Sequence, residues 1–355
     1  MSQTTRDPTS PHKPGLFEPR RIGHMAPASK IVLYTILTLW ALFVLFPIYW
    51  LVITSFKTPA AVNEGPYFIP WVDFQPSLHA WRELFVIDAA DTFRAYRNSI
   101  IIAFSSTALS VAVGSMAAYS LSRINFAPNL ITILYFVLLM VAAAVAIGVY
   151  GTDLWLTLAV VVALFFFLMR AVGRLYTVRL ANGDILFWII SQRILAPIVV
   201  VVPIYMMFQS VRMLDTHLAI ILTYAVINLP IVVWLMYDFF NSIPRDLEES
   251  AQLDGATMIM TFREIVLPLS RTGLAATTLL VMIFSWNEYL LALFLSTTKA
   301  QTLPILVAAM NAGERGILWW SMSVAIIIMI IPVVALAIVL QKYISKGLLV
   351  GAVKG

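Results

Sequence analysis

Residues Asp246 to Pro268 read DLEESAQLDGATMIMTFREIVLP, a polar and acidic run set between two segments that are almost wholly apolar. Its surroundings decide the fold class. The chain has 355 residues, 61% of them hydrophobic and 12% charged, with a mean hydropathy of +0.90. That is far more apolar, and about half as charged, as a soluble domain. Lipid offers no partners to backbone N–H and C=O groups, so membrane-spanning elements are helices or closed barrels, and long unbroken apolar runs select helices. The expected fold class is an all-α polytopic membrane protein.

Gaps between charged residues locate the spans, because about 20 apolar residues cross a bilayer and a charge at its centre costs at least about 2.5 kcal/mol. Lys30 to Lys57, Arg97 to Arg123, Asp215 to Asp238 and Arg315 to Lys342 each hold one helix. Residues 186–211 and 272–295 hold one each with a single internal charge, Arg193 and Glu288. Ala127 to Met169 is apolar apart from Gly151-Thr152-Asp153, which reads as a turn between two further helices. The second of these, Leu154 to Met169, reaches only about 24 Å. It crosses with Arg170 snorkelling or the bilayer thinning, and a re-entrant loop is the alternative. The expectation is eight spans.

Lys and Arg number 23. With the N-terminus cytoplasmic, fifteen fall inside and seven outside, Arg193 lying within a span, so the positive-inside rule puts both termini and the 246–268 run on the cytoplasmic side. This bias accounts for most of the net charge of +5 and implies no nucleic-acid partner. There is no Cys, hence no disulfide or thiolate metal site. The first apolar run is too long for a signal-peptide core and stays as an anchor.

Within the quoted run Pro244 suits a first helical position with Ser242 as cap, and Asp246, Glu248 and Glu249 favour the positive end of the helix dipole. Gly255 suits a left-handed helix end, and Met258, Phe262, Ile265 and Val266 resume helical spacing until Leu267-Pro268. Two short helices joined at a glycine result, with Leu247, Ala251 and Met258 as a small apolar face. An amphipathic connector resting on the membrane has the same signature.

Glu249, Ala251, Gly255, Ile265, Leu267 and Pro268 match the EAA signature of permease subunits in binding-protein-dependent ABC importers, with Ser250 where a second alanine is usual. The chain resembles the carbohydrate-uptake class of that family, the branch of the smaller maltose-type permease. The marks are ITSFKTP at 53–59, YRNSIIIAFSSTALSVAVGSMAAYSLSR at 96–123, PIYMMF at 203–208, NLPIVVWLM at 228–236, NSIPRDLEESAQLDGA at 241–256, FSWNEYLLAL at 284–293, TLPI at 302–305 and GLLVGAVKG at 347–355. The resemblance implies a type I permease core of six helices, so the apolar hairpin is an insertion. Its even number of crossings preserves the sidedness of everything downstream.

The implied organisation is a disordered cytoplasmic tail at 1–29, two spans at 30–125 with an external loop at 56–97, and the inserted hairpin with a cytoplasmic loop at 126–185. The permease core follows at 186–345 with its coupling loop at 241–271, and a cytoplasmic tail at 346–355. The resemblance further implies a coupling role toward an ATPase for Glu248, Glu249, Ser250, Ala251, Asp254, Gly255, Ala256, Ile265, Leu267 and Pro268. No G-x-x-x-x-G-K-[ST] loop occurs, so ATP and Mg belong to a partner, and no cofactor belongs to this chain. The implied partners are two ATPase subunits, a second and different permease subunit, and an external solute-binding protein, in a bacterial inner membrane.

Polar groups inside spans mark Gln192, Arg193, Asn228, Trp286, Asn287 and Glu288 as candidate path residues, with Trp286 able to stack on a sugar ring. Snorkelling and helix joining account for the same residues. Pro197, Pro203 and Pro230 are placed to kink helices. The aromatics Tyr67, Phe68, Trp71, Phe74 and Trp81 of the external loop suit either docking of the binding protein or an interfacial belt. No H-E-x-x-H or G-x-S-x-G motif occurs, which excludes the commonest polytopic hydrolases. A secondary transporter or channel is the alternative, and would ordinarily show coupling-ion carboxylates or an inverted repeat.

Overall fold

The computed structural model describes residues 26–126, 129–172, 180–311 and 317–352. The N-terminal tail up to residue 25, and most of the arginine-bearing loop after the hairpin, lie outside the described residues. The helices in chain order are α1 (Pro27–Ser55), α2 (Pro59–Glu64), α3 (His79–Arg82), α4 (Ala89–Arg123), α5 (Leu130–Tyr150), α6 (Leu154–Val172), α7 (Asn182–Ser191) and α8 (Pro197–Ser210). Then come α9 (His217–Asn241), α10 (Asp246–Leu253), α11 (Met258–Thr261), α12 (Leu267–Leu269), α13 (Arg271–Trp286), α14 (Leu290–Leu295), α15 (Leu303–Asn311) and α16 (Trp319–Ala352). Among the described residues there is no β-strand.

Five of these helices are long and apolar enough to cross a membrane: α1, α4, α5, α9 and α16 as far as Lys342. Two bent pairs raise the number to seven, and α6, apolar from Leu154 to Arg170, is the shorter helix at the eighth expected position. Several boundaries differ from those expected. The loop after α1 ends at Asp88 rather than 97, because α4 begins at Ala89 and carries Asp91, Arg94 and Arg97 on its first turns. The span expected over 186–211 is two helices at 89°. Ala196 is extended, as a residue before proline prefers, and Pro197 starts the next helix without a donor to continue the previous one. The span expected over 272–295 divides into α13 and α14 around Asn287–Tyr289. The C-terminal tail expected from 346 is instead the continuation of α16.

The chain divides into two compact units. In the first, which comprises residues up to Asp88 with 310–327, the segment after α1 folds back on that helix. Ser77 N–H donates to Phe56 O at 2.7 Å, and Phe56, Trp81 and Phe85 stack at 6.0 Å spacings. Glu83 accepts from Trp320 Nε1 at 2.9 Å and from the Ser321 hydroxyl.

The second unit, 89–309 with 328 onward, is built on α4 and α9. Ser106, Ser110, Gly114 and Ala118 recur every four residues along α4 and are all buried. Such a row of small residues lets two backbones approach where lipid supplies no hydrophobic drive. Ser110 Oγ donates across to Ala225 O at 3.0 Å, and a Cβ on Gly114 would come within 2.6 Å of Val232. On α13, Gly273 lies under the Phe239 ring in the same way. The α5–α6 hairpin packs through Phe136 and Phe165, whose ring centroids are 5.5 Å apart. Gly151, at φ +64°, makes its turn.

Between α8 and α9, Asp215 organises the 296–300 segment from the side. Its carboxylate accepts from the backbone N–H groups of Ala300 at 2.9 Å, Lys299 at 3.0 Å, Thr297 at 3.1 Å and Thr298 at 3.2 Å. Partial burial pushes this carboxyl upward, but the backbone donors, Ala300 first, outweigh burial and hold it well below the usual carboxylate range. A group depressed on folding stabilises above its unfolded value, near pH 4, and that contribution disappears as acid drops through the folded value. Asp215→Asn is therefore expected to lower the thermal midpoint at pH 7. The gap from wild type should narrow steadily below about pH 4, as followed by intrinsic fluorescence of the purified protein.

Candidate functional site

The polar run between α9 and α13 folds as two short helices meeting at Gly255, whose φ of +88° is the left-handed value required there. The first helix starts at Asp246, not at Pro244. Ser242 closes the preceding helix by donating to Phe239 O at 2.7 Å rather than capping the next one. Asp246, Glu248 and Glu249 occupy its first turn. Thr257 caps the second helix, accepting from Met260 N–H. That helix does not stop at Leu267-Pro268. It passes through a π turn, Phe262–Val266, and ends at Leu269, with an 81° bend at Ser270 into α13. Pro268 has no N–H for an α-helical bond to Glu264 O, consistent with the wider turn just before it.

Two adjacent carboxylates part company here. Glu249 is exposed, whereas Glu248 is buried at 4% exposure. Glu248 accepts from Arg123 Nε at 2.7 Å through one oxygen and from the Tyr119 hydroxyl at 2.7 Å through the other. Arg123, at the end of α4, also donates to Phe240 O at 2.9 Å, so it ties the last turns of α9 and the first turn of α10 to one point. Arg245 adds a bond to Ser122 O at 3.1 Å. Tyr119, Phe240 and Phe262 surround the pair with rings 4.8–6.0 Å apart. An open cleft of about 590 Å³ adjoins it, bounded by Arg245, Glu249, Gln252, Ala256 and Met258.

Of the other residues singled out in this loop, Ser250, Asp254 and Gly255 are exposed. Ala251, Ala256, Ile265, Leu267 and Pro268 are half-buried. The apolar face is larger than Leu247, Ala251 and Met258. Leu253 and Ile259 stand out at 89% and 78% exposure, with Met260 beside them. The anchoring residues Tyr119, Arg123 and Arg245 were not among the sequence candidates. The signal for them lay in the cationic end of the α4 segment, SLSR, facing an acidic first turn.

The polar residues within the spans gather at helix irregularities. Pro230 lies inside the continuous helix α9 and removes one donor, and Arg193 Nη1 donates to the nearby Ile227 O at 3.0 Å and to Asn228 Oδ1 at 3.3 Å. Asn228, itself buried, donates to Ser285 Oγ at 3.0 Å. Arg193 also lies 4.8 Å over the Phe284 ring, and Glu288 is close enough to act on it electrostatically. Glu288 accepts from Leu291 N–H at 3.1 Å, capping α14. Asn287 turns back onto Ile283 O and Gln192 is exposed. Trp286 stands apart. It is 2% exposed, donates to Met329 O at 2.8 Å and meets Tyr96 edge-on, so its faces are committed to helix packing rather than to a passing ring. Among the described residues there is no cluster of three or more His, Asp or Glu side chains able to hold a metal.

Comparison with known proteins adds independent findings. The family model for the binding-protein-dependent transport system inner membrane component matches residues 99–350. The trehalose/maltose transport system permease protein MalG of Thermococcus litoralis is 31% identical, over 92% of this chain and 97% of that protein. The sulfoquinovosyl glycerol transport system permease protein SmoH of Agrobacterium fabrum is 29% identical, over 88% of this chain and 89% of its own length. The fold is similar to that of a chain from a bacterial ABC transporter involved in the import of the acidic polysaccharide alginate, with a TM-score of 0.57 at 21% identity, covering 89% of this chain and 96% of that one. By extent of match and by fold, this chain belongs to the family of inner-membrane components of binding-protein-dependent transport systems.

Proposed function

We propose that this chain is the permease subunit of an ATP-driven importer for a sugar or sugar-like solute, coupled to a cytoplasmic ATPase through residues 241–271. The observation that carries the coupling role is the asymmetry of the 246–269 unit. One side is fastened to α4 and α9 through Glu248, Arg123 and Tyr119, while the other offers Leu247, Leu253, Met258 and Ile259 to whatever docks there. A rigidly held apolar knob with an exposed acidic residue, Glu249, suits a groove on a partner protein. Closure of an ATPase pair would then reach the spans as a rigid-body displacement.

The sugar reading is supported by relatives whose names specify trehalose, maltose and sulfoquinovosyl glycerol. In this reading the chain has no catalytic residue. ATP and Mg are held by two ATPase subunits, a second permease chain completes the path, and an external binding protein delivers solute. Both termini and the 241–271 loop face the cytoplasm, with α6 crossing as the eighth span. Arg193, Asn228 and Glu288 are the path candidates supported by a shared polar cluster at broken helices, and Gln192 and Asn287 flank it.

The fastened and the offered carboxylates are separable by mutation. Glu248→Ala strands the Arg123 cation in a largely buried site and is expected to cost about 3–5 kcal/mol. Hydrogen exchange in 246–269 should rise accordingly. Glu249→Ala removes an exposed side chain and should change stability by no more than about 0.5 kcal/mol, yet lower the ATPase stimulation produced by solute-loaded binding protein. Equal stability losses in the two variants would contradict the assigned asymmetry. Gly255→Pro imposes the wrong φ and deletes the Gly255 N–H to Gln252 O bond of 3.0 Å. Solute uptake in reconstituted vesicles should be lost with the spans still inserted, and ATP-dependent uptake at the wild-type rate would overturn the coupling role.

A further inference from the structure

We propose that the turn at residues 66–74 is an interfacial membrane anchor, presenting Phe68, Ile69, Trp71 and Val72 to the headgroup and acyl boundary of the bilayer. The inference needs only that α1 spans the membrane, and is independent of coupling to an ATPase. The first support is depth. Helix α1 has 29 residues, about 43 Å against a hydrocarbon core of about 30 Å. The chain leaves it at Ser55 and then turns back along it. Tyr49 donates its hydroxyl to Phe68 O at 2.6 Å, and the Trp50 and Phe68 ring centroids are 5.3 Å apart. Tyr49 lies six residues before the helix end, so the turn sits about 9 Å back toward the bilayer centre from that end. Tyr49 and Trp50 are themselves the residue types that concentrate at the interface.

The second support is hydrogen-bond closure. Residues 67–73 leave no backbone donor open. Tyr67 N–H reaches Gly65 O, Phe68 and Ile69 N–H both reach the Asp73 carboxylate at 2.8 Å, and Trp71 N–H reaches Phe74 O. Val72 and Asp73 N–H share Ile69 O, and Pro70 has none to satisfy. On the acceptor side, Tyr67 O takes the Lys57 ammonium at 2.7 Å, with that ammonium 4.2 Å over the Trp50 ring. A loop in water need not use all of its N–H donors in this way, whereas backbone at the edge of hydrocarbon does.

The third is the direction of the tip. Trp71 is held at φ +63°, a region bulky residues rarely enter, and this turns Trp71 and Val72 outward at 74% and 77% exposure. With its donors consumed, the tip has apolar side chains to offer rather than the polar rim of a protein-recognition surface. Lipid is the occupant that these observations favour over the external binding protein.

The absence of Cys makes the test direct. Val72→Cys carries a single nitroxide in the assembled transporter, its partner subunits made cysteine-free, in phosphatidylethanolamine/phosphatidylglycerol bilayers. The label should collide with molecular oxygen several-fold more than with a water-soluble nickel chelate, unchanged by added binding protein. Free access to the nickel chelate, or shielding that begins only when binding protein is added, overturns the anchor. If the labelled variant assembles poorly, the unlabelled chain is read instead through tryptophan quenching by brominated lipid. Trp71→Ala should lower the quenched fraction, and identical quenching of Trp71→Ala and wild type also overturns the proposal.

Discussion

The carboxylate of Glu248 is the point on which the architecture of the 246–269 unit turns. A charge buried this deeply is tolerated only with compensation on all sides, and here one oxygen takes Arg123 and the other takes Tyr119. Because Arg123 also holds Phe240 O, the ends of α4 and α9 and the start of α10 are three parts of one electrostatic object. These are also the two helices drawn together by the Ser106, Ser110, Gly114 and Ala118 row. The loop is thus an extension of the central helix pair, held to α4 and α9 by side-chain bonds.

The same need to satisfy polar groups governs the interior of the second unit. Where a helix breaks in lipid, the freed groups must find partners within the protein. The 195–196 joint between α7 and α8 is one such place and Asn287–Tyr289 between α13 and α14 another, while Pro230 removes one donor inside the continuous helix α9. Arg193, Asn228, Ser285 and Glu288 meet these interruptions with side-chain bonds. A route for a hydroxyl-rich solute and a set of caps for broken helices draw on the same chemistry, which is why the two readings of these residues coincide in position.

What was legible in the sequence follows from the length scale of each signal. The long spans α1, α4, α5, α9 and α16 were legible because the bilayer forbids unpaired charge over about 20 residues. Gly255 was legible because its backbone conformation is local. The breaks at 195–196 and at Ser270 were not. Pro197 reads equally as a kink or as a first residue, and Ser270 carries no breaker signal of its own. Nor was the division of labour between Glu248 and Glu249. On a helix, neighbours point about 100° apart, so which of the two turns inward depends on where the end of α4 lies, a partner 125 residues away in sequence. Trp286 was singled out because an aromatic beside Asn and Glu suggests a ligand, and in the structure its indole N–H donates to Met329 O.

The α5–α6 hairpin leaves the core and rejoins it at neighbouring points. Its neck is closed by one residue, Asn182, whose amide donates to Leu121 O and Ile124 O at 2.7 Å each and whose oxygen accepts from Phe126 N–H at 3.1 Å. The end of α4 and the start of α7 are thereby joined across the base of the excursion. The terminal carbonyls of α4, which a helix end leaves without partners, are capped by the residue where the chain returns. Because departure and return points are adjacent, α5 and α6 can be accommodated without displacing Arg123, which lies between Leu121 and Ile124 in the chain, from Glu248.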